Sequence, residues 1–326
     1  MAKYIGRQIE VWFGIESTRG TPVTIQQWND KTDFSFEEKA EYVDDMSSRG
    51  KITDAQDSIK VKQSGSGSIS QLVKTNQIGY LLLNTLGTVS SEEDSTGAYI
   101  HTFTLNNSNT TQSLTMWVAD PVIGDVSFAL TSLQSLTINV EEWQYVTLTA
   151  EIMAKPWATA THTTTYVADY ALLARNSTLK FANNLAGLDG ATGSCFRSFE
   201  ITLEKNLEED YCAWQLAPQD FINKQFSVTG SFTATFDATT FRDFHLDGTK
   251  KAIRFDIEDT DTTIGATSNP RLTFNLALCS FKEFARTQSN DEVVIQTLTF
   301  KALESRVDDE MINVELVNTV AWYTAA

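Results

Sequence analysis

Residues 136–152, LTINVEEWQYVTLTAEI, keep a period of two almost without interruption. Leu136, Ile138 and Val140 alternate with Thr137, Asn139 and Glu141, and Val146, Leu148, Ala150 and Ile152 alternate with Thr147, Thr149 and Glu151. Successive side chains of a strand point to opposite faces, so each run has one oily and one wet face, and the Glu142-Trp143-Gln144 link between them predicts a hairpin. The same pattern returns in Phe199, Ile201 and Leu203, from Phe226 to Phe236, in Ile253, Phe255 and Ile257, and from Leu272 to Leu278. Such strands pair antiparallel and bury one face against a second layer, which predicts an all-β chain of sandwiches or barrels and excludes a doubly wound parallel fold. Threonine supplies 42 of the 326 residues and aromatics 11%, types that suit a pleated, half-solvated surface.

Helical periodicity is confined to two places. Over Asn76–Leu86, Ile78, Leu81, Leu82 and Leu86 share a face and Gly87 is placed to cap the C-terminus, which predicts a short amphipathic helix. Asp237–Leu246 predicts a second, with Asp237 as cap, Phe241, Phe244 and His245 on one face, and Gly248 following. Each helix comes after a glycine-containing strand. Set against itself at an offset of 165, the chain places Asp33–Phe36 over Ser198–Ile201 and Ser64–Ser66 over Thr229–Ser231. An acidic stretch, the glycine strand, the helix and a closing strand pair follow in the same order in both halves, the last at an offset nearer 150. The expectation is a duplication: two tandem β-sandwich or barrel domains, residues 1–165 and 166–326, each with one short flanking α-helix. A threonine- and glycine-rich linker from Trp157 to Thr192 joins them, and Tyr166-Val167 and Thr178–Ala182 within it offer further strands.

Charge and motif spacing exclude most chemistry. Twenty-five bases against 42 acids leave a net charge of −17, a field that repels phosphate backbones. The longest apolar run, Tyr170–Ala174, has five residues against about 20 for a spanning helix, and residues 1–15 lack the apolar stretch of a secretory signal, so no membrane is expected and synthesis in a cytosol is. Cys195, Cys212 and Cys279 are odd in number, far apart and without a CxxC pair, which predicts reduced, partly buried thiols. His101, His162 and His245 show no metal-ligand spacing and read as a strand residue among threonines, a linker residue and a helix-end residue. Asp256–Asp261 lacks the glycine and glutamate of a calcium loop. Ser64–Ser68 is followed by Ile69, not by the Lys-Ser/Thr of a phosphate loop, and holds no Gly-x-Ser-x-Gly. No catalytic, metal or cofactor site is expected.

Gly14-Ile15-Glu16-Ser17-Thr18-Arg19-Gly20-Thr21-Pro22-Val23, with Trp28 shortly after, is similar to the amino-terminal signature of tail tube proteins of long-tailed bacteriophages, in which such a turn leads into a first sheet strand. Ser48–Ile52, the Gly65–Ile69 strand, Gly79–Leu83 with Leu86-Gly87, and the strands 136–141 and 146–153 follow in that family's order. The resemblance covers residues 10–155, and residues 195–305 by order of elements alone. It implies sandwich or barrel domains whose inner strands join between subunits into rings, and rings that stack into a hollow tube. Six tube domains per ring imply three two-domain chains in a pseudo-hexamer; were the second half a decoration, the ring would hold six chains. It further implies a virion tail protein, assembled in the host cytoplasm, that works with copies of itself, a tape-measure protein, a tail terminator and a distal tail protein, and the likeness to long flexible tails weighs against a contractile sheath without deciding it.

DNA would pass through such a tube without specific binding, because three chains at −17 carry −51 and acids facing the lumen repel phosphate. Glu141, Glu151, Glu200 and Glu204 are the candidate lumen-facing acids. Candidate contacts between subunits or rings are Glu41, Asp44, Asp45, Arg49 and Lys51, in a long loop from Glu41 to Ser58, and Glu208, Glu209 and Asp210 at the equivalent place in the second half. Arg49 is set to pair with a carboxylate across the interface. The rival class of function is a monomeric β-sandwich module that binds carbohydrate or protein, with Trp117, Trp143 or Trp157 as its stacking platform; exposed aromatics separate the two.

Overall fold

A computed structural model describes residues 3–161 and 166–324; His162 and the expected boundary near residue 165 lie outside them. The first half of the chain forms β1 (Glu10–Ile15), β2 (Gln27–Asn29), β3 (Asp33–Asp45), β4 (Asp57–Leu72), α1 (Thr75–Leu86), β5 (Gly87–Ser95), β6 (Ala98–Leu105), β7 (Leu114–Asp120), β8 (Gly124–Glu141), β9 (Thr147–Ala154) and β10 (Ala158–Thr159). The second forms β11 (Ser177–Ala182), β12 (Gly193–Ser194), β13 (Ser198–Glu204), β14 (Leu207–Asp210), β15 (Asp220–Asn223), β16 (Ser227–Thr235), α2 (Thr240–Leu246), β17 (Lys250–Glu258), β18 (Arg271–Arg286), β19 (Ile295–Leu303) and β20 (Ile312–Asn318). The chain is all-β, as its alternation requires, and every strand pairing is antiparallel. Residues 136–152 form the hairpin of β8 and β9 with Thr137 opposite Thr149, Leu136, Ile138, Leu148 and Ile152 inside, and Trp143 at a left-handed φ of 63° in the turn.

Strands β3, β4, β9 and β8 lie side by side in that order, and β13, β16, β19 and β18 repeat it. The two sets are joined edge to edge, because β8 pairs with β13 from Ser135↔Glu204 to Glu141↔Ser198. β8 and β18 are long enough to serve a second layer with their first halves: β8 pairs there with β7 and β10, and β18 with β17 and β20. Each shifts register on passing between layers, between Leu133 and Ser135 and between Phe281 and Glu283, the usual device for turning a sheet corner. The oily faces of both layers meet in one buried cluster that runs through both halves, from Phe13 and Ile69 to Phe255, Phe274 and Phe300.

The halves also exchange elements. β6 completes the second half's outer layer by pairing with β20, and Tyr323 returns to α1, its ring at van der Waals distance over Gly79, where any side chain would collide with it. All of α1 is buried, where amphipathicity predicts a wet face. Its polar residues are spent on buried partners instead: Asn84 donates to Gln112 O (2.8 Å) and Thr131 O (3.0 Å) and accepts from Leu133 N (2.7 Å), satisfying the backbone that the corner in β8 leaves open. Gly87 caps the helix at φ 97°, with its N–H on Leu83 O. The second helix is shorter than predicted, starting at Thr240 and not after Asp237; Phe241 and Phe244 pack on Phe181 and Phe232 or Phe281.

Three local expectations need correction. The Gly14–Val23 turn follows the first strand, β1, and leads into β2. The loop expected from Glu41 to Ser58 is a two-stranded arm, because β3 and β4 stay paired out to Asp45 and Asp57, leaving residues 46–56 as its tip. Cys195 is exposed, while Cys212 is half-buried and Cys279 buried.

Candidate assembly interface

The eight strands from β3 to β18 present one polar face. Directly opposed pairs cross it from one half to the other: Ser68↔Glu151, Thr149↔Thr137, Thr137↔Thr202, Thr202↔Thr229 and Ser231↔Thr299. Hydroxyls link neighbouring strands at Ser70–Thr149 (3.0 Å), Thr137–Thr202 (2.9 Å) and Ser198–Thr233 (2.7 Å), contacts of the kind that hold cross-strand pairs. The four candidate acids Glu141, Glu151, Glu200 and Glu204 all stand on this face, with Glu141, Glu151 and Glu200 exposed. Asp33, Glu37 and Glu283 join them, against the ammonium groups of Lys39 and Lys301. The surface is a carpet of hydroxyls with a surplus of negative charge.

Both ends of this eight-strand row are open. Among the described residues β3 pairs with β4 on one side and with no strand on the other. β18 has β17 along one edge only as far as Ser280, so beyond Phe281 its last residues pair with β19 alone. Among the described residues these are unfilled hydrogen-bonding edges flanking half-buried Phe34, Phe36 and Phe284, an arrangement that soluble monomers avoid.

The candidate contact residues sit on two arms. Glu41, Asp44 and Asp45 lie on the outer part of β3, and Arg49 and Lys51 at its tip. Arg49 and Lys51 have no partner among the described residues, Glu41 is 4.0 Å from Lys62, and the Ser47 hydroxyl and amide hold the Asp45 carboxyl below the usual range. The arm exposes Tyr42, Val43, Met46 and Ile59. Glu208, Glu209 and Asp210 lie on β14, hairpinned with β15; Glu208 pairs with Lys224 at 3.0 Å. The second arm is not free. Leu216 O accepts from Gln63 N of β4 (2.7 Å) and the Tyr211 ring lies under the Lys62 ammonium (4.8 Å), so the structure brings the two acidic stretches side by side.

What holds the second arm down escapes sequence reading. Arg19 donates from Nε to Asp220 Oδ1 (2.6 Å), from Nη2 to Phe221 O (2.8 Å) and from Nη1 to Thr111 O (2.5 Å). Its turn is fixed by Glu16, buried and accepting from Gly20 N (2.6 Å), Ser113 Oγ (2.5 Å), Thr115 Oγ1 (3.0 Å) and Leu130 N (2.8 Å). Beside it the buried Lys205 ammonium donates to Asn84 O (2.8 Å), Asn84 Oδ1 (3.2 Å) and Thr111 Oγ1 (3.0 Å). The Glu16–Gly20 part of the signature is thus a clamp on the arm of the other half. Arg19→Lys should lower the urea midpoint by an amount equivalent to about 1–3 kcal/mol, since an ammonium cannot serve three fixed directions at once; an unchanged midpoint would show that the clamp carries no load.

The remaining candidates have structural surroundings. His101 is fully buried, touching Ser91 Oγ (2.7 Å), Asn318 Oδ1 (3.1 Å) and Val320 O (2.8 Å), and burial lowers its pKa. His245 Nδ1 is 3.3 Å from Phe281 O. Trp117 is half-buried with its indole N–H on Val23 O (2.9 Å), whereas Trp143 and Trp157 are exposed at opposite ends of β9. A family model described as phage tail tube protein matches residues 6–302. A search of curated proteins found no match.

Proposed function

This chain belongs to the phage tail tube protein family, a structural component of the virion tail, and we propose that it assembles itself into stacked rings whose bore conducts DNA. The two open edges of the eight-strand row carry this reading. A row with one free edge at each end is finished by copies of itself: a heterologous contact that closes on rotation makes a ring. Three chains would contribute twenty-four strands and leave no edge over. The hydroxyl-rich, acid-bearing face lines the bore, where Glu141, Glu151, Glu200 and Glu204 keep phosphates from sticking. Residues 1–165 and 166–326 act as two tandem tube domains, so the ring is a pseudo-hexamer of three chains. The arms bearing Arg49 and Lys51 reach towards the neighbouring ring, and assembly takes place in the host cytoplasm. A tape-measure protein, a terminator and a distal tail protein complete the tail.

Light scattering after size-exclusion at rising concentration, followed by negative-stain microscopy, tests this. Threefold rings or hollow rods are expected. A monomer at every concentration, with tryptophan emission shifted by sugars, would replace the proposal with the binding-module reading, and rings of six chains would remove the pseudo-hexamer.

A further inference from the structure

We infer that the joint between neighbouring chains repeats, residue for residue, the joint that β8 and β13 make inside one chain. This inference rests on the ring reading and adds to it the register. Its basis is how closely the halves match. β3 and the β13–β14 pair are each the outermost strand of their set, and β4 corresponds to β15–β16. Phe36 faces Gly67 as Ile201 faces Gly230. Asp45 opposite Asp57 closes the first arm as Asp210 opposite Asp220 closes the second. The slip of one residue between Glu41 and Tyr42 recurs between Glu204 and Leu207. The corner in β8, with Leu133 opposite Ile152 and Ser135 opposite Glu151, recurs in β18 with Phe281 opposite Phe300 and Glu283 opposite Thr299.

Each strand of the internal joint therefore has a counterpart whose equivalent edge is open: β3 for β13, and the end of β18 for the end of β8. Carrying Ser135↔Glu204, Leu136↔Leu203, Thr137↔Thr202 and Ile138↔Ile201 onto those counterparts sets Glu283 of one chain opposite Lys39 of the next, Phe284 opposite Glu38, Ala285 opposite Glu37, and Arg286 opposite Phe36. The register agrees with two facts that did not enter its construction. Exposed residues meet exposed ones on the polar face, and half-buried Phe284 and Glu38 meet on the other. The exposed charges of Lys39 and Glu283 come face to face with opposite sign, the favourable case for directly opposed strand residues. A shift by one residue would turn Phe36 or Phe284 into the polar face.

The test is oxidation of a Glu37→Cys, Ala285→Cys double variant in a Cys195→Ser, Cys212→Ser background. Opposed strand residues lie within disulfide range, so assembled material should give covalent dimers and a closed trimer on a non-reducing gel. An Asp33→Cys, Ala285→Cys pair, four residues out of register, should give at least tenfold less. Rings that form but cross-link through the second pair and not the first overturn the register while leaving the ring reading intact; absence of any assembly overturns both. A second comparison needs no cysteine: Lys39→Glu should raise the concentration needed for assembly at least tenfold, and Lys39→Glu with Glu283→Lys should restore it. Failure of the double swap to restore assembly counts against the register.

Discussion

Gly67→Val should cost more than 3 kcal/mol, read as a collapse of the urea midpoint, and Gly230→Val should cost about as much. A Cβ at Gly67 would fall inside contact distance of Ser35 O and Phe36 Cα, and one at Gly230 would meet Glu200 O and the Phe300 ring. Ser35 O, Phe36 Cα and Glu200 O are backbone atoms of the paired strand, so relief requires parting β3 from β4 or β13 from β16, with loss of ladder hydrogen bonds on both sides of the site. Neither glycine has a positive φ, so the cost is contact alone. Gly190, with nothing within 4 Å of its added Cβ, is the control, and Gly190→Val should stay within about 0.5 kcal/mol of the parent. Equal losses at 67 and 230 would support equivalence of the two positions; a tolerated valine at either would remove the close strand approach inferred there.

That pair also marks where sequence reading stopped. The repeated order of strands was legible at Phe34 and Phe199, because a paired strand with one buried face imposes a period of two and its start can be aligned. The offset of 165 then sets Gly65 over Gly230, whereas the strand register sets Gly67 there. The reason is loop length: the arm tips run over 46–56 and 211–219, two residues apart in size, and nothing in the local pattern of exposed tips fixes their length. The four candidate acids of the polar face were legible for the same period-two reason. The burial of α1 was not, since Asn76, Gln77 and Asn84 read as a wet face unless it is known that the helix lies between two layers, where Asn76 meets Thr319, Gln77 meets Asp30 and Asn84 meets the corner backbone. Arg19 and Asp220 lie 201 residues apart, beyond any periodicity. Lys205, one base within an acidic stretch, carries the signature of a solvated lysine.

Its true setting makes stability depend on pH in a direction opposite to that of a surface lysine. Burial, with a smaller contribution from the Arg19 cation, pushes the Lys205 ammonium down from 10.5 to about 7. Its acceptors are neutral, and one of them, Asn84 O, belongs to the last turn of α1, where an unpaired carbonyl and the negative end of the helix favour a cation without removing the cost of burying it. The unfolded chain holds this proton up to about pH 10 and the folded chain releases it near 7, so between those values the unfolded state binds more protons and stability rises with pH. Below pH 7 both states are charged and the penalty is complete. Urea unfolding of dilute protein at pH 6, 7, 8 and 9 should therefore show a gain of a few kcal/mol towards alkaline pH, at roughly 1.4 kcal/mol per pH unit at most. Lys205→Met fills the same space without a charge. Its curve should lose that rise, and the difference between the two proteins, which cancels every other titrating group, should grow from pH 9 to pH 6 in favour of methionine. Because Lys205 joins α1 of one half to the hinge before β14 of the other, the same difference should appear in protease cleavage of the second arm, faster in the parent at pH 6 than at pH 9 and insensitive to pH in the variant. Parallel stability curves would mean that the lysine finds water or a counter-charge in solution, and the joint between the halves would then be held by Arg19, the strand pairing and the shared apolar cluster.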